Sequence, residues 1–384
     1  MLATPAEAIA RGVDFLLKTQ DASGGWRRSR YGALRGGVAL TAFVLRTLSQ
    51  LMPRDAPAAA PFPAPTASSN PSWATALREP LAAAVDFLRP GLEKRGAIAC
   101  PDGTLDLPVY ATALALLAES PTRPLWSADE RQRLRGYLLA TQVFPGRGFA
   151  RTDPHVGGWD LGGDPPPRGI TTGTNISLTA WAVQALAMPP TDSPSEVRDN
   201  ADANSKAAIP DANGDWVVLA HQWLERSQNR PGDGGFMFTP DHAMTDNKAG
   251  LDPETRQPRS YGSASCDGLL ALAALRSLAA VPSRDTSPSE PAWTAVLDWF
   301  GKLENWDRPP GGPNSLWFYW AARLVAASAH FPQTRREAAH ETIVAAVIER
   351  QRADGSWTNP EPGMREDDPL IATPLAIAAL SGLN

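Results

Sequence analysis

The sequence predicts an all-α protein, an α/α toroid built as an α6/α6 barrel of six helical hairpins, on three observations. One phrase recurs: a helical run, a glutamine, a few turn residues, then glycine and an aromatic. It reads FLLKTQDASGGW (Phe15 to Trp26), YLLATQVFPGRGF (Tyr137 to Phe149), WLERSQNRPGDGGF (Trp223 to Phe236) and VIERQRADGSW (Val347 to Trp357). Such recurrence marks an array of similar units that stack to bury their apolar faces. The helical segments also come in pairs, the first amphipathic and charged, the second Ala/Leu-rich and apolar on nearly every face. A helix with one charged face has one side in water, and a helix apolar all round is enclosed by protein, so the series suits an outer and an inner layer. Finally, the terminal pairs carry the same turn as the middle ones and show no polar capping face, which favours a closed ring over an open solenoid.

The first pair is expected at about 6–19 and 36–51, the second at 79–90 and 107–118, and the third at 128–141 and 173–187. The fourth falls at about 215–227 and 263–279, the fifth at 292–303 and 314–329, and the sixth at 334–350 and 372–381. The runs ALTAFVLRTL, ATALALLA, LTAWAVQAL and LLALAALRSL consist of good helix formers and lack strand-like alternation. Ser127 with Glu130 forms a capping box, Pro291 suits a first helical turn, and Thr373 before Pro374 is expected to start the last helix. One domain spans 1–384, with flexible surface excursions at the Pro/Ala/Ser-rich 52–72 and the Pro/Ser/Asp/Asn-rich 189–212. Long connections at 150–172 and 237–262 join outer to inner helix in pairs three and four, and loops of that length are often functional.

Within the repeated turn, Gln20, Gln142, Gln228 and Gln351 end outer helices and can tie the last helical carbonyls to a neighbouring helix's first amides. Gly25, Gly148, Gly235 and Gly355 supply the turn, and Trp26, Phe149, Phe236 and Trp357 cover the junction. Pair five is degenerate at Leu303, Glu304 and Trp306. Pair two lacks the glutamine but keeps Pro101, Asp102 and Gly103.

A net charge of −5 and the absence of any concentrated basic stretch argue against a nucleic-acid partner; Arg27, Arg28 and Arg30 read as a short solvated loop. Cys100 and Cys266 are expected as reduced thiols of a cytoplasmic protein. The N-terminal segment lacks the basic start and apolar core of a signal peptide, and no apolar run approaches the roughly 20 residues needed to span a bilayer. The thirteen tryptophans are expected to pack between helices, some lining an apolar cavity.

The Gln–Gly–aromatic turn resembles the QW motif of squalene and oxidosqualene cyclases. The paired-helix array is similar, from about residue 6 to 382, to the wider superfamily of terpenoid cyclases and protein prenyltransferase β subunits. The layout looks most like that of uncharacterised bacterial proteins with prenyltransferase and squalene-oxidase repeats. The resemblance implies a central cavity that holds an isoprenoid-like ligand. The cyclases protonate an alkene or epoxide with an aspartic acid from an Asp-x-Asp-Asp-Thr-Ala or Asp-Cys-Thr-Ala-Glu run, and neither run occurs here. The nearest match, Ser263 to Leu269, puts Ala264 or Ser263 where the acid would be and leaves Asp267 as a nearby, non-homologous acid. The prenyltransferase zinc ligands are also missing: their positions fall near Arg259, Tyr261 and Leu316, and no Asp-x-Cys pair exists. His155, His221, His242, His330 and His340 show no metal-ligand spacing. Neither a metal nor a cofactor is expected.

A site is expected where inner helices start, from Asp106 to Tyr110, Thr172 to Ser177, Tyr261 to Asp267, Asn314 to Tyr319 and Asp367 to Thr373. Asp267 is the first candidate acid, with a competing reading as a first-turn carboxylate favoured by the helix dipole, which would lower its pKa. Asp160, with Asp164, is a candidate carboxylate pair of glycosidase type or a pair of turn formers, and Asp102 and Asp106 admit the same two readings. Tyr110, Tyr261, Trp317, Tyr319 and Trp320 are candidates for an aromatic lining, against ordinary helix packing. Cys266 reads as ligand contact or inert buried thiol, and Asn175 as polar contact or helix cap. The leading expectation is a hydrophobic, isoprenoid-like ligand, with a non-canonical cyclase among its uses. The alternatives are a non-catalytic protein-binding or structural toroid, and a carbohydrate-active toroid with opposed carboxylates.

Overall fold

The computed structural model describes residues 3–27, 29–52, 71–103, 107–120, 123–162, 169, 171, 173–188, 215–230, 232–241, 248–254, 256–279 and 290–382. The excursion expected at 189–212 lies outside them, as does 53–70; the end of the first excursion instead begins a short helix, α3 (Pro71–Ala76). The outer helices are α1 (Pro5–Thr19), α4 (Arg78–Arg95), α6 (Ala128–Thr141), α8 (Asp215–Ser227), α10 (Glu290–Gly301) and α12 (Gln333–Glu349). The inner helices are α2 (Val38–Gln50), α5 (Pro108–Leu117), α7 (Ile176–Ala187), α9 (Gly262–Ala279), α11 (Trp317–Ala327) and α13 (Pro369–Ser381). Among the described residues there are no strands, only isolated bridges in the turns.

The layers follow from the residue patterns. On α1 one face is buried (Ala8, Ile9, Gly12, Val13, Leu16), whereas α13 is buried at nearly every position from Leu370 to Ser381. The inner helices pack in the closed order α2, α5, α7, α9, α11, α13 and back to α2. Each outer helix seats on an inner helix, α4 on α2, α6 on α5, α8 on α7, α10 on α9, α12 on α11, and α1 on α13, so the first helix closes the ring.

The glutamine turn works through carbonyls rather than amides. Each glutamine donates twice from Nε2, once to its own turn and once to the first turn of the next outer helix. Gln20 reaches Gly24 O and Pro80 O at 2.8 and 2.9 Å, and Gln142 reaches Gly157 O and Trp216 O at 3.0 Å each. Gln228 reaches Gly234 O and Ala292 O at 2.9 and 2.8 Å, and Gln351 reaches Gly355 O and Ala8 O at 2.9 and 2.8 Å. A turn glycine follows with positive φ: Gly24 (86°), Gly157 (100°), Gly234 (88°) and Gly355 (87°). A Cβ there would press on a carbonyl of that next helix, at Ala83, Leu219, Ala295 and Arg11 respectively, so glycine is needed for both conformation and close approach.

The turn then docks on its own inner helix. The amides of Trp26, Trp159 and Trp357 donate to Thr41, Thr179 and Thr373 hydroxyls, and Phe236 N donates to Ser265. The indoles of the three tryptophans donate to Leu16 O, Leu138 O and Val347 O of their outer helices. The same hydroxyl position serves the same turn around the ring, so the inner helices run parallel.

Several expectations are corrected here. The junction aromatic of the third unit is Trp159, not Phe149, because a 3-10 turn (Pro145–Arg147) and further turns are inserted between Gln142 and Gly157. The positive-φ glycines of units one and four are Gly24 and Gly234 rather than their neighbours. The last helix starts at Pro369, capped by Asp368, because the Thr373 hydroxyl is engaged by Trp357 and Pro374 lies inside the helix. In unit two, Ile98 N donates to Thr112 Oγ1, so an isoleucine stands where the aromatic would be. At the degenerate fifth unit, Arg335 of α12 reaches back to Phe300 O and Leu303 O at 2.9 and 2.6 Å.

Candidate functional site

Inside the ring, side chains from four inner helices form one hydrogen-bonded string. Tyr110 (α5) donates its hydroxyl to Ser177 Oγ (α7) at 2.8 Å. Ser177 Oγ meets the Tyr319 hydroxyl (α11) at 2.6 Å. Tyr319 donates to Asp267 (α9), 2.8 Å from Oδ2 and 3.1 Å from Oδ1. Arg323, one turn beyond Tyr319, donates from Nε to Asp267 Oδ1 at 2.5 Å. In the ring order α9 stands between α7 and α11, so the Ser177–Tyr319 contact is made in the interior.

Below the string lies a plate. Arg323 and Arg46 (α2) both sit over the Trp181 indole (α7), 4.0 and 4.6 Å from its ring centroid. Three alternate inner helices thus meet across the ring, and Trp181, Arg46 and Arg323 are all buried. Tyr110, Ser177 and Tyr319 keep part of their surface accessible, while Asp267 is only 1% exposed behind them. The interior at this level is therefore a floor with hydroxyls above it.

Burial sets the electrostatics. Burial pushes the Asp267 carboxyl above the ordinary carboxylate range, against the downward pull of Arg323, Tyr319 and Ser177. Burial likewise raises the Tyr110 and Tyr319 phenols. Asp267 lies in the second turn of α9, not the first, so desolvation outweighs the helix dipole and its pKa moves opposite to the dipole expectation. Above the string, Glu366 accepts the Phe318 and Tyr319 amides at 2.9 and 2.7 Å and the Asn359 side chain at 3.0 Å. This carboxylate caps the start of α11 and so fixes where Tyr319 stands. Burial raises Glu366 to about 7, despite those hydrogen bonds.

Of the residues singled out from sequence, Tyr110, Tyr319 and Asp267 come together. The others stand elsewhere. Asn175 caps α7, accepting from Leu178 N at 3.0 Å. Trp317 donates to Asp307 O at 2.8 Å and lies under Arg350, in the packing toward α12. Trp320 packs on Gly262 at the start of α9, and Tyr261 on Gly311 and Gly312. Cys266 is fully buried, and burial raises its thiol. Asp160 is a buried turn carboxylate, bonded to Gly162 N at 3.0 Å and Thr171 Oγ1 at 2.7 Å. Asp106 and Asp164 lie outside the described residues.

A string of Thr174, His155 and Asp241 has hydrolase-like spacing, at 3.0 and 3.3 Å. Thr174 is fully buried and already accepts the Trp223 indole at 2.8 Å, so it ties loop to helix. Sequence reasoning missed Arg46, Trp181, Arg323 and Glu366, and included Ser177 only as the end of a stretch. A signal was present: Arg46 and Arg323 each interrupt an otherwise apolar inner helix, and a charge there must be paired.

No family model matches the chain, and no curated protein matches it. Among solved structures, the apo type II terpene cyclase MstE from Scytonema is similar at 16% identity and TM-score 0.53, covering 98% of this chain and 97% of that one. A variant of that cyclase in complex with its substrate, geranylgeranyl dihydroxybenzoate, is similar at 15% identity and TM-score 0.52, with 99% and 97% covered. The GH76A α-1,6-mannanase from Salegentibacter sp. HEL1_6 gives 10% identity and TM-score 0.54, with 98% of each chain covered. At such identities the likeness establishes the fold: an α/α toroid, shared by a terpene cyclase and a glycoside hydrolase. Among the described residues, no helix is long and apolar enough to cross a membrane.

Proposed function

We propose that the ring interior binds a hydrophobic, isoprenoid-like ligand whose polar end meets the Tyr110, Ser177 and Tyr319 hydroxyls. One observation carries this reading: hydroxyls of three half-buried side chains, Tyr110, Ser177 and Tyr319, converge from three inner helices inside a closed ring and are backed by a buried Asp267–Arg323 pair. An apolar pocket with a few convergent polar groups is the usual form of a small-molecule site. The neighbouring cyclase fold, described with geranylgeranyl dihydroxybenzoate, supports an isoprenoid as the occupant.

The same geometry weighs against Asp267 as the acid of a cyclase. Protonating an alkene needs a donor more acidic than a free carboxyl, and burial moves Asp267 the other way. The binding reading is therefore preferred to cyclisation by this residue. A titration of tryptophan fluorescence with geranylgeraniol tests it, with saturable quenching expected and a flat response sinking it. Incubation with geranylgeraniol and squalene is expected to give no cyclised product. Product that disappears in Asp267→Asn would instead establish the acid role. The carbohydrate reading draws no support from Asp160, whose carboxylate is consumed by its own turn.

A further inference from the structure

We propose that the site selects an isoprenoid whose polar end is a hydrogen-bond donor, an alcohol, because the Asp267 carboxylate dictates the direction of every hydroxyl proton up to Tyr110. The inference rests on the ligand reading above and names the class of its polar end. Arg323 stays protonated in proteins and supplies the counter-charge 2.5 Å from Asp267. An ionised carboxylate only accepts, so Tyr319 must give its proton to Asp267. The Tyr319 oxygen is then an acceptor toward Ser177, and the serine proton is committed toward Tyr319 or the carboxylate. Ser177 Oγ is left to accept from Tyr110, as the geometry shows.

The string ends at the Tyr110 oxygen, whose proton is spent on Ser177 and which keeps only acceptor capacity. An alcohol completes that string, whereas an ether or ester oxygen there meets another acceptor with no proton between them. Sites built on a fixed donor–acceptor pattern reject the analogue that breaks it.

The test compares geranylgeraniol with geranylgeranyl methyl ether, a partner of nearly equal apolar surface, by calorimetry or fluorescence. The wild-type protein is expected to prefer the alcohol by roughly three- to tenfold, the worth of one neutral hydrogen bond. Tyr110→Phe removes the terminal oxygen and is expected to bring the two affinities together. Asp267→Asn places a side-chain donor at the far end and is expected to abolish the preference by letting the string reverse. Equal wild-type affinities, with both ligands bound, would overturn the inference while leaving the ligand reading intact. A preference that survives Tyr110→Phe would also overturn it. Binding of neither compound would remove the ligand reading, and this inference with it.

Discussion

Arg323 Nε lies 2.5 Å from Asp267 Oδ1, with the two side chains 3% and 1% exposed. A pair this deep is costly to break from one side, because the remaining charge stays buried. Arg323→Ala is expected to destabilise the fold by about 3–5 kcal/mol in urea unfolding. The double variant Asp267→Asn with Arg323→Met removes both charges, and its loss should be clearly smaller than the sum of the single losses. Additive losses would show that the two groups do not interact.

The turn glycines give a matched contrast. Gly157→Ala forces a Cβ against the Leu219 carbonyl at a φ of 100°, and should cost more than the about 1–3 kcal/mol of backbone strain alone. Gly136 lies within α6 with open space around its missing Cβ. Gly136→Ala should stabilise by about 0.4–1 kcal/mol. Thermal melts of the two variants are expected to move in opposite directions.

Gln351 fastens α12 to α1 through Ala8 O and its own turn through Gly355 O. Gln351→Ala leaves both carbonyls without that donor, a loss of about 1–3 kcal/mol. Hydrogen exchange should rise in α1 and the 351–357 turn together, while α6 and α8 keep their protection. Uniform change over all helices would contradict a local fastening.

Glu366 makes stability depend on pH. Its folded pKa of about 7 is raised from the ordinary 4.5, mainly by burial. A raised pKa stabilises the protonated folded form, so this contribution is full below 4.5 and is lost as the pH rises through 7. The melting temperature should therefore fall across that window. Glu366→Gln keeps the shape without the ionisation and should flatten the fall, and an unchanged profile in that variant would rule out Glu366 as its source.

The fold was legible because it is written in repeats. Glutamine, glycine and aromatic recur with the helices that need them, and most expected helix ends match the observed ones to within a few residues; the outer helix of pair two runs on to Arg95, the short α3 was not expected, and the last helix begins at Pro369 because Thr373 serves Trp357. The insertion after Gln142 hid Trp159, because Phe149 offered the same local spelling. The site was legible in part. Tyr110, Asp267 and Tyr319 stand near helix starts, where sequence points. Arg46, Trp181 and Arg323 lie deeper, and their meeting depends on the ring's curvature, which no single helix records. Tyr261, Trp317 and Trp320 share the aromatic character of a lining but face neighbouring helices and loops.

The bond from Gln351 to Ala8 spans 343 residues of chain. In synthesis α1 precedes the other helices of the ring, yet its resting place on α13 and α12 exists only after those helices have been made. Its apolar face must wait, uncovered or in provisional company, through the synthesis of every other unit. The ring thus assembles like an arch whose first stone is set last. A circular permutant that opens the chain between two other hairpins, with the present ends joined, moves this seam rather than removing it, and pulsed hydrogen exchange during refolding is expected to show late protection passing from α1 to the outer helix at the new opening.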